Sequence, residues 1–259
     1  MVRSGPKRKA APAGRGFWFC LGILALLLFW ELAALAAGSL LILPGPVPVF
    51  KRFLLLFGDG AFLQALGGSF RRVMLGIALS APLGMLAGTA AALDRRAGAF
   101  LAPLFQAVAA TPVMSVILIA FLVLGQERTP VFTAFLMVFP VMAVNTAAGL
   151  KELDGDLKEL FAVYRLSRLE TLRFLYIPSV LPFILGGLRS SVSLCWKVVV
   201  AAEVLVQPIR ALGTGMQNAK AQLETAELFA WTAAAVIAAA LSQLLLNLAE
   251  GAYRRRTRE

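Results

Sequence analysis

The chain has 259 residues, of which 59% are hydrophobic and 15% charged, and its formal net charge is +11. With a mean hydropathy of +0.80, this composition excludes an ordinary soluble domain. The absence of histidine excludes imidazole metal sites, histidine proton relays and histidine acid–base catalysis. Because the apolar residues fall in blocks of about twenty, enough to cross a hydrocarbon core about 30 Å thick, the sequence predicts an all-α membrane protein.

The N-terminal region predicts a basic tail followed by a membrane span. The basic tail covers residues 1–16, and the apolar block FWFCLGILALLLFWELAALAAG follows it. This block is longer than the hydrophobic region of a signal peptide, about 7–15 residues, so we predict a retained transmembrane helix at 17–37 and keep a cleaved signal peptide as the alternative. Proline and glycine interrupt residues 38–71, which are predicted to form an external loop with interfacial helices.

The rest of the chain predicts a five-helix core over residues 72–250 and a second basic tail at 251–259. The predicted spans of this core are 72–92, 100–124, 130–150, 179–206 and 227–250. Pro103, Pro112 and Pro140 are expected to kink the helices that contain them. Most of the 25 basic residues lie in segments that this arrangement places inside. The positive-inside rule therefore predicts a multi-pass protein of the cell inner (plasma) membrane with both termini cytoplasmic, and contact with anionic lipid accounts for the charge without a nucleic-acid partner.

Small side chains recur every four residues in the second predicted span, at Gly76, Ser80, Gly84 and Gly88. A helix face made only of small residues allows another helix to approach closely. The sequence therefore predicts a packing face. Packing within one subunit and packing between subunits remain alternatives.

Ionisable residues within predicted spans indicate a polar pathway, because such residues usually face a cavity or a partner. Lys197 is the deepest of them, and an ion pair with Glu31 or Glu203 is its alternative explanation. Arg189 is compatible with anchoring at the inner surface. We predict that five residues of the fifth span line the translocation pathway, with the last two near an outer gate: Ser190, Ser193, Lys197, Glu203 and Gln207.

A charged segment separates the fourth and fifth spans, at residues 151–178. Asp156 with Glu159, and Ser167 with Glu170, have the spacing of capping boxes, in which a short polar side chain and a carboxylate three residues later cap a helix start. The sequence therefore predicts two short helices on the cytoplasmic side of the membrane.

The first of these helices has an apolar stripe formed by Leu157, Leu160, Phe161 and Tyr164 at helical spacing. A helix that lies on the inner leaflet usually has a basic polar face. Here, four carboxylates fall within residues 152–159 and would be repelled by anionic lipid. The stripe therefore favours a protein groove as its partner.

The sequence ELFAVYRLSRLETLRFLYIPSVLPFILGGLR resembles the cytoplasmic signature loop of ABC importer permeases, in particular the nitrate/sulfonate/taurine branch. That signature has a Glu-Ala-Ala triplet, a glycine six residues after the glutamate and a proline thirteen residues after the glycine. Glu159 and Pro178 match it in type and spacing, whereas Arg165 replaces the glycine. The resemblance extends over roughly residues 40 to 250.

The resemblance implies a type I ABC importer permease fold of six transmembrane helices that acts as a homodimer. It implies two further partners, a cytoplasmic ATPase and an extracytoplasmic substrate-binding protein, in addition to the membrane lipid that the composition itself predicts. The expected solute is small and polar or anionic, such as a sulfonate, nitrate or a vitamin precursor. The residues expected to contact the ATPase are those of the signature loop: Leu157, Glu159, Leu160, Phe161, Tyr164, Arg165, Ser167 and Arg168.

The chain is not expected to be an enzyme. It has no Gly-x-x-x-x-Gly-Lys-Ser/Thr sequence, the motif that cradles nucleotide phosphates, so we expect the partner ATPase to bind ATP and magnesium and this chain to bind no cofactor. No catalytic or metal-ligating residues are predicted. An ion-coupled secondary transporter or channel is the alternative function, suggested by the charges at Glu31, Lys197 and Glu203, and a membrane enzyme is a more distant one.

Overall fold

The computed structural model describes residues 15–256, so most of the predicted N-terminal tail at 1–16 lies outside the described residues, whereas the tail predicted at 251–259 is helical as far as Arg256. All regular secondary structure in that range is helical. In chain order the helices are α1 (Arg15–Ala37), α2 (Pro46–Leu56), α3 (Gly60–Leu93), α4 (Arg95–Ala110), α5 (Val113–Leu124), α6 (Thr129–Lys151), α7 (Gly155–Val163), α8 (Arg168–Thr171), a π-helical turn (Leu172–Tyr176), α9 (Ile177–Val206), α10 (Leu212–Ala221) and α11 (Thr225–Arg256).

Five helical segments of the described chain are long and apolar enough to cross a membrane, and a sixth crossing results if α4 and α5 together form one broken span. The predicted fold class, an all-α protein with several membrane spans, is confirmed. The five segments are Gly16–Ala37, Gly60–Leu93, Thr129–Lys151, Arg168–Val206 and Thr225–Ala252.

The helix pair α4 and α5 replaces the single span expected at 100–124. The two helices are bent by 98° relative to each other. The break falls at Thr111, whose ψ angle is 129°, immediately before Pro112. Proline lacks an N–H and disfavours helical geometry in the residue that precedes it, whereas Pro103 and Pro140 lie inside continuous helices.

Helix α3 begins at Gly60, well before the span expected at 72–92. Its start is capped by the side chain of Asp59, which accepts a hydrogen bond from the N–H of Ala61 at 2.9 Å. The helix has 34 residues and is therefore about 51 Å long, which exceeds a hydrocarbon core of about 30 Å. Its first turns extend beyond the apolar layer and occupy much of the predicted external loop.

Helices α3, α6 and α9 pack against one another and form the centre of the protein. Phe62, Met142 and Trp196 are among its largest fully buried side chains. We call the end of this bundle from which α7 and α8 follow the loop end, and the opposite end, where residues 207–211 join α9 to α10, the linker end.

Helix α1 lies at the periphery of this bundle. None of the side chains in its apolar window is buried, and the indole N–H of Trp30 donates a hydrogen bond to the carbonyl of Pro44 at 3.0 Å. Trp30 also stacks on Phe229 of α11, with ring centroids 5.9 Å apart. A helix with its apolar side chains exposed all round suits a lipid environment.

Candidate functional site

One face of α9 carries exposed polar side chains within an otherwise apolar stretch of the helix. Ser190, Ser193 and Lys197 are all exposed and are spaced three and four residues apart, so they lie on the same side of the helix. Lys197 is ten residues from the last helical turn at Gln207, or about 15 Å along the axis. This distance is half the thickness of a hydrocarbon core of about 30 Å, so we expect the lysine near mid-membrane depth.

Lys197 and Ser193 make no hydrogen bond or ion pair within residues 15–256. The possible pairing of Lys197 with Glu203 or Glu31 is therefore not seen within one chain. Glu203 pairs with Arg72, and the carboxylate of Glu31 lies against the backbone of Gly45.

The remaining two predicted pathway residues lie elsewhere. Glu203 is fully buried, and Gln207 is an exposed residue at the end of α9 with a left-handed φ of 50°. Arg189 is ion-paired with Glu250 of α11, which gives it a structural role in joining two helices. The structure thus groups three of the five predicted residues and separates the other two from them.

Glu203 belongs to a buried polar cluster at the linker end. Its carboxylate accepts hydrogen bonds from the hydroxyl of Ser69 at 2.7 Å, from the guanidinium of Arg72 at 3.2 Å and from the N–H of Gly213 at 3.2 Å. Ser69 in turn accepts a bond from the N–H of Leu212 at 2.9 Å. Three elements, α3, α9 and the start of α10, are therefore joined through one carboxylate.

Arg72 is the centre of this cluster and is only 3% exposed. Besides Glu203, it donates to the carboxylate of Glu127 at 2.8 Å and to the carbonyls of Ile209 and Arg210 at 2.9 and 3.1 Å. Every partner is an oxygen acceptor, as a buried guanidinium requires. Arg72 therefore fixes the linker and the α5–α6 connection onto α3.

Sequence reasoning missed Arg72 because it is the first residue of the span predicted at 72–92, where a basic side chain is expected to face the external solvent. A signal was nevertheless present, because Ser69, Arg72 and Gly76 follow one another at spacings of three and four residues. They extend the row of small side chains towards the start of α3. A charged residue in line with a packing face indicates a buried ion pair rather than a solvent-facing loop.

Glu127 lies where the cluster meets the surface, with 47% of its side chain exposed. Partial burial acts to raise the pKa of its carboxyl, but the hydrogen bond from the N–H of Ile209, at 2.7 Å, and the neighbouring Arg72 outweigh that effect. Together they hold the pKa of Glu127 below its ordinary value of 4.5. The carboxylate is therefore ionised throughout the neutral range, with one oxygen bonded to the linker at Ile209 and the other to Arg72 of α3.

Acid is expected to weaken the Glu127 contact. Because the folded-state pKa is lowered, the contact stabilises the protein above pH 4.5 and is lost as the pH falls through the folded-state pKa. Glu127→Gln is therefore expected to flatten the decline of the thermal unfolding midpoint between about pH 5 and pH 3. Tryptophan fluorescence measures the midpoint, with Glu152→Gln as an exposed control. Equal acid slopes for Glu127→Gln and the unsubstituted protein would contradict the assignment.

The linker between α9 and α10 adopts a strained backbone. Gln207 and Arg210 have left-handed φ angles of 50° and 55°, which non-glycine residues adopt only when the surroundings enforce it. Arg210 also packs closely on α3, because a Cβ atom on Gly68 would lie 2.0 Å from its carbonyl oxygen. The contact needs glycine at that position and fixes the direction of the linker.

The row of small side chains on α3 faces α6 of the same chain. A Cβ atom on Gly88 would lie 2.2 Å from the carbonyl oxygen of Ala143, and one on Gly84 would lie 2.6 Å from the Cβ of Met142. The hydroxyl of Ser80 donates towards the carbonyl of Phe135 at 3.2 Å. This geometry favours the alternative in which the row packs within one subunit.

At the loop end, α7 and α8 form the two predicted short helices. The capping box of Ser167 with Glu170 is present. The predicted box of Asp156 with Glu159 is wrong, because α7 begins earlier and is capped by Asp154, whose carboxylate accepts a bond from the N–H of Asp156 at 2.9 Å. Asp154 lies only two residues before Asp156 and has the same side chain, and α7 begins directly after it at Gly155.

No element within residues 15–256 covers the apolar stripe of α7. Leu157, Leu160 and Tyr164 are exposed, the last at 69%, and Phe161 is half-buried. Three more of the predicted loop residues are exposed beside the stripe: Glu159, Ser167 and Arg168. An exposed row of large apolar side chains is typical of an interaction surface.

Arg165 occupies the left-handed position that ends α7, with φ of 50°. Its N–H donates to the carbonyl of Ala162 at 3.0 Å, and the N–H of Leu166 donates to the carbonyl of Phe161 at 3.2 Å. These two bonds define a Schellman motif, in which glycine is the usual residue at this position. The turn geometry of the glycine-containing signature is therefore kept, with arginine in a conformation that strains its backbone.

Arg165→Gly is expected to stabilise the helix pair by about 1 kcal/mol relative to Arg165→Ala, because glycine adopts the left-handed conformation without steric strain. The matched alanine variant removes the same charge and keeps the strain. Hydrogen exchange of the α7–α8 amides is expected to be about fivefold slower in the glycine variant. Equal exchange in both variants would show that the turn is unstrained.

Cavities adjoin both ends of the bundle. At the loop end, a mainly apolar cavity of about 680 Å³ lies between α3, α6, α8 and α9, with Arg168 and Tyr176 in its wall. At the linker end, two cavities of about 460 and 550 Å³ share Arg71, Arg72 and Glu127 in their walls. No group of three metal-ligating side chains occurs within residues 15–256.

A bundle of helices that are long and apolar enough to cross a membrane five or six times defines a multi-pass membrane protein. Residues 80–259 match the family described as "Binding-protein-dependent transport system inner membrane component". The match covers more than half of the chain, and the chain belongs to this family. The predicted function, a transmembrane permease subunit of an ABC importer, is confirmed, and nothing supports the alternative of an ion-coupled transporter or channel.

Three permease proteins illustrate the range of relatives. The bicarbonate transport system permease protein CmpB of Synechococcus elongatus is 31% identical over 207 residues, which cover 74% of this chain and 73% of that protein. The taurine transport system permease protein TauC of Escherichia coli is 30% identical, covering 91% and 88%. The nitrate import permease protein NrtB of Synechococcus elongatus is 29% identical, covering 63% and 62%.

Proposed function

We propose that two copies of this chain enclose the translocation pathway and that the polar face of α9 lines it. The observation that carries this proposal is the exposure of Lys197 beside Ser193 at mid-membrane depth. A charge facing lipid there would cost about 2.5–3.5 kcal/mol. A second permease copy and the water between the two copies give the lysine an environment that lipid does not.

The proposed solute is a small anion. Lys197 supplies a positive charge, and the neighbouring hydroxyls of Ser190 and Ser193 supply hydrogen bonds, a combination that suits a carboxylate, sulfonate or nitrate group. The relatives named for bicarbonate, taurine and nitrate transport support this class. The outer-gate role of Glu203 and Gln207 stays a prediction.

The proposed energy source is a cytoplasmic ATPase that binds ATP and magnesium and docks on the stripe of α7. Exposure of Leu160 and Tyr164 supports the docking surface, and the positive-inside distribution of basic residues supports a cytoplasmic location for the loop end and both termini. An extracytoplasmic binding protein delivers the solute to the linker end.

Native mass spectrometry of the purified complex is expected to show two copies of this chain.

Reconstitution in liposomes tests the proposal. The chain co-purified with its ATPase and binding protein is expected to accumulate a radiolabelled anion only with ATP. The permease alone under an ion gradient is expected to show no uptake. Accumulation by the permease alone would support ion-coupled transport and contradict the proposal.

Removing the mid-membrane charge is expected to impair anion uptake. Lys197→Met is expected to lower the uptake rate about tenfold or more, the effect of losing one charge-assisted hydrogen bond to the solute. Lys197→Arg keeps the charge and serves as the matched control. Unchanged ATP-driven uptake by Lys197→Met would remove Lys197 from the pathway.

A further inference from the structure

Four arginines surround the two adjoining cavities at the linker end. Arg71 and Arg72 line both cavities, Arg128 lines one and Arg210 the other. They come from three separate parts of the chain: the start of α3, the α5–α6 connection and the α9–α10 linker. Their convergence is therefore produced by the tertiary fold.

The charges around these cavities are not balanced. Among the described residues, the one carboxylate in the cavity walls, Glu127, is bonded to Arg72, which also pairs with the buried Glu203 behind them. The other three arginines are exposed, and within residues 15–256 none of them forms an ion pair. We call Arg71, Arg128 and Arg210 the outer arginine triad, and it leaves the cavities with an excess of positive charge.

The triad is held on rigid backbone. Arg71 adjoins Arg72 on α3, and Arg128 directly precedes α6, whose N-terminal dipole adds positive potential. Arg210 is fixed by the bond from Arg72 to its carbonyl, at 3.1 Å, and by the close approach of Gly68. The backbone of each of the three arginines is therefore held beside the cavities.

We propose that the outer arginine triad binds a small oxyanion and retains the solute at the linker end before it enters the pathway. This inference rests on the proposed function, because it assumes that the bound anion is the transported solute. Arg71 supplies charge-assisted hydrogen bonds together with Arg128 in one cavity or with Arg210 in the other, and a guanidinium suits the paired oxygens of a carboxylate, sulfonate, bicarbonate or nitrate.

The size of the site suits a small solute better than a docked protein surface. Cavities of about 460 and 550 Å³ accommodate a small anion together with several waters, each of which occupies about 30 Å³ in the liquid. A docked protein surface instead needs an interface of about 1,000 Å² or more. Docking of an acidic surface of the binding protein is the competing outcome in the tests that follow.

Arginine labelling tests the site directly. The purified transporter complex is treated with p-hydroxyphenylglyoxal in choline nitrate or in choline chloride of equal concentration, and modified arginines are mapped by mass spectrometry. Nitrate is expected to slow modification of Arg71, Arg128 and Arg210 several-fold relative to chloride and to leave Arg95, at the opposite end of α3, unchanged. Equal modification in both salts would overturn the inference, whether or not the complex transports anions.

Transport by a variant without the three positive charges is the second test of the inference. The combined substitutions Arg71→Gln, Arg128→Gln and Arg210→Gln are expected to raise the KM for nitrate or taurine uptake about tenfold or more and to leave ATP hydrolysis intact. Lys220→Gln, an exposed residue of α10 outside both cavities, is the matched control. A folded triple variant with an unchanged KM would overturn the inference and leave the proposed function standing.

Two further results separate the remaining explanations. Loss of binding-protein association in the triple variant, without nitrate protection in the labelling experiment, would assign the triad to protein docking and overturn the inference. Absence of anion uptake by the unsubstituted complex would contradict the proposed function. Nitrate protection of the triad in that same complex would still support an oxyanion site.

Discussion

Arg72→Met is expected to destabilise the folded permease by about 3–5 kcal/mol, the effect of leaving a buried carboxylate without its partner. Glu203 is fully buried and Arg72 is 3% exposed, so water does not replace the lost charge. The variant also leaves the carbonyls of Ile209 and Arg210 without their donor. A loss of this size is a large part of the stability of a typical domain, about 5–15 kcal/mol. Unfolding by denaturing detergent in mixed micelles, followed by tryptophan fluorescence, measures it.

Two further variants isolate the ion pair. Arg71→Met, on the adjacent exposed residue, is expected to change stability by no more than about 0.5 kcal/mol. Arg72→Met combined with Glu203→Met removes both charges and is expected to recover part of the loss, because replacing a whole buried pair is often tolerated. If Arg72→Met were as stable as Arg71→Met, the buried ion pair would not hold the linker end together.

Phe161→Asp is expected to abolish association of the permease with its ATPase. A carboxylate in the middle of the α7 stripe would be buried against an apolar groove without a partner. Loss of a central aromatic anchor typically weakens an interface by 2 kcal/mol or more, about thirtyfold in affinity. Co-purification of the ATPase from detergent-solubilised membranes measures the association, and ATP-driven uptake should fall with it.

The matched control is Ala162→Asp. It introduces the same charge one residue later, on the side of α7 turned away from the stripe, where Ala162 is exposed. We expect this variant to retain its ATPase and its uptake. Both variants should keep the thermal unfolding midpoint of the parent, since α7 lies outside the central bundle. Normal ATPase assembly with Phe161→Asp would count against α7 as the coupling surface.

Local sequence patterns predicted much of the fold, because membrane spans depend on apolar length and helix starts depend on capping residues. The spans expected at 130–150 and 179–206 correspond closely to α6 and α9. The break at Pro112 was harder to predict because Pro103 and Pro140, which have the same chemistry, lie within continuous helices. Whether a proline breaks a helix depends on the packing around it.

The candidate site was only partly predictable. The α7 stripe and the α9 polar face follow from periodicity along one helix. The buried cluster does not, because Arg72 and Glu203 are 131 positions apart and meet only through tertiary packing. The outer arginine triad was equally hard to predict, since its members come from three different parts of the chain.

The buried cluster also determines how the central helices can move. It fastens α9 to α3 at the linker end, whereas at the loop end α9 borders a cavity of about 680 Å³. A tilt of α9 that preserves the bond between Arg72 and Glu203 must therefore have its fulcrum at the linker end. With 30 residues, α9 is a lever about 45 Å long, and a tilt of about 10° displaces its far end by about 8 Å. The largest excursion of this helix then occurs next to α7 and α8.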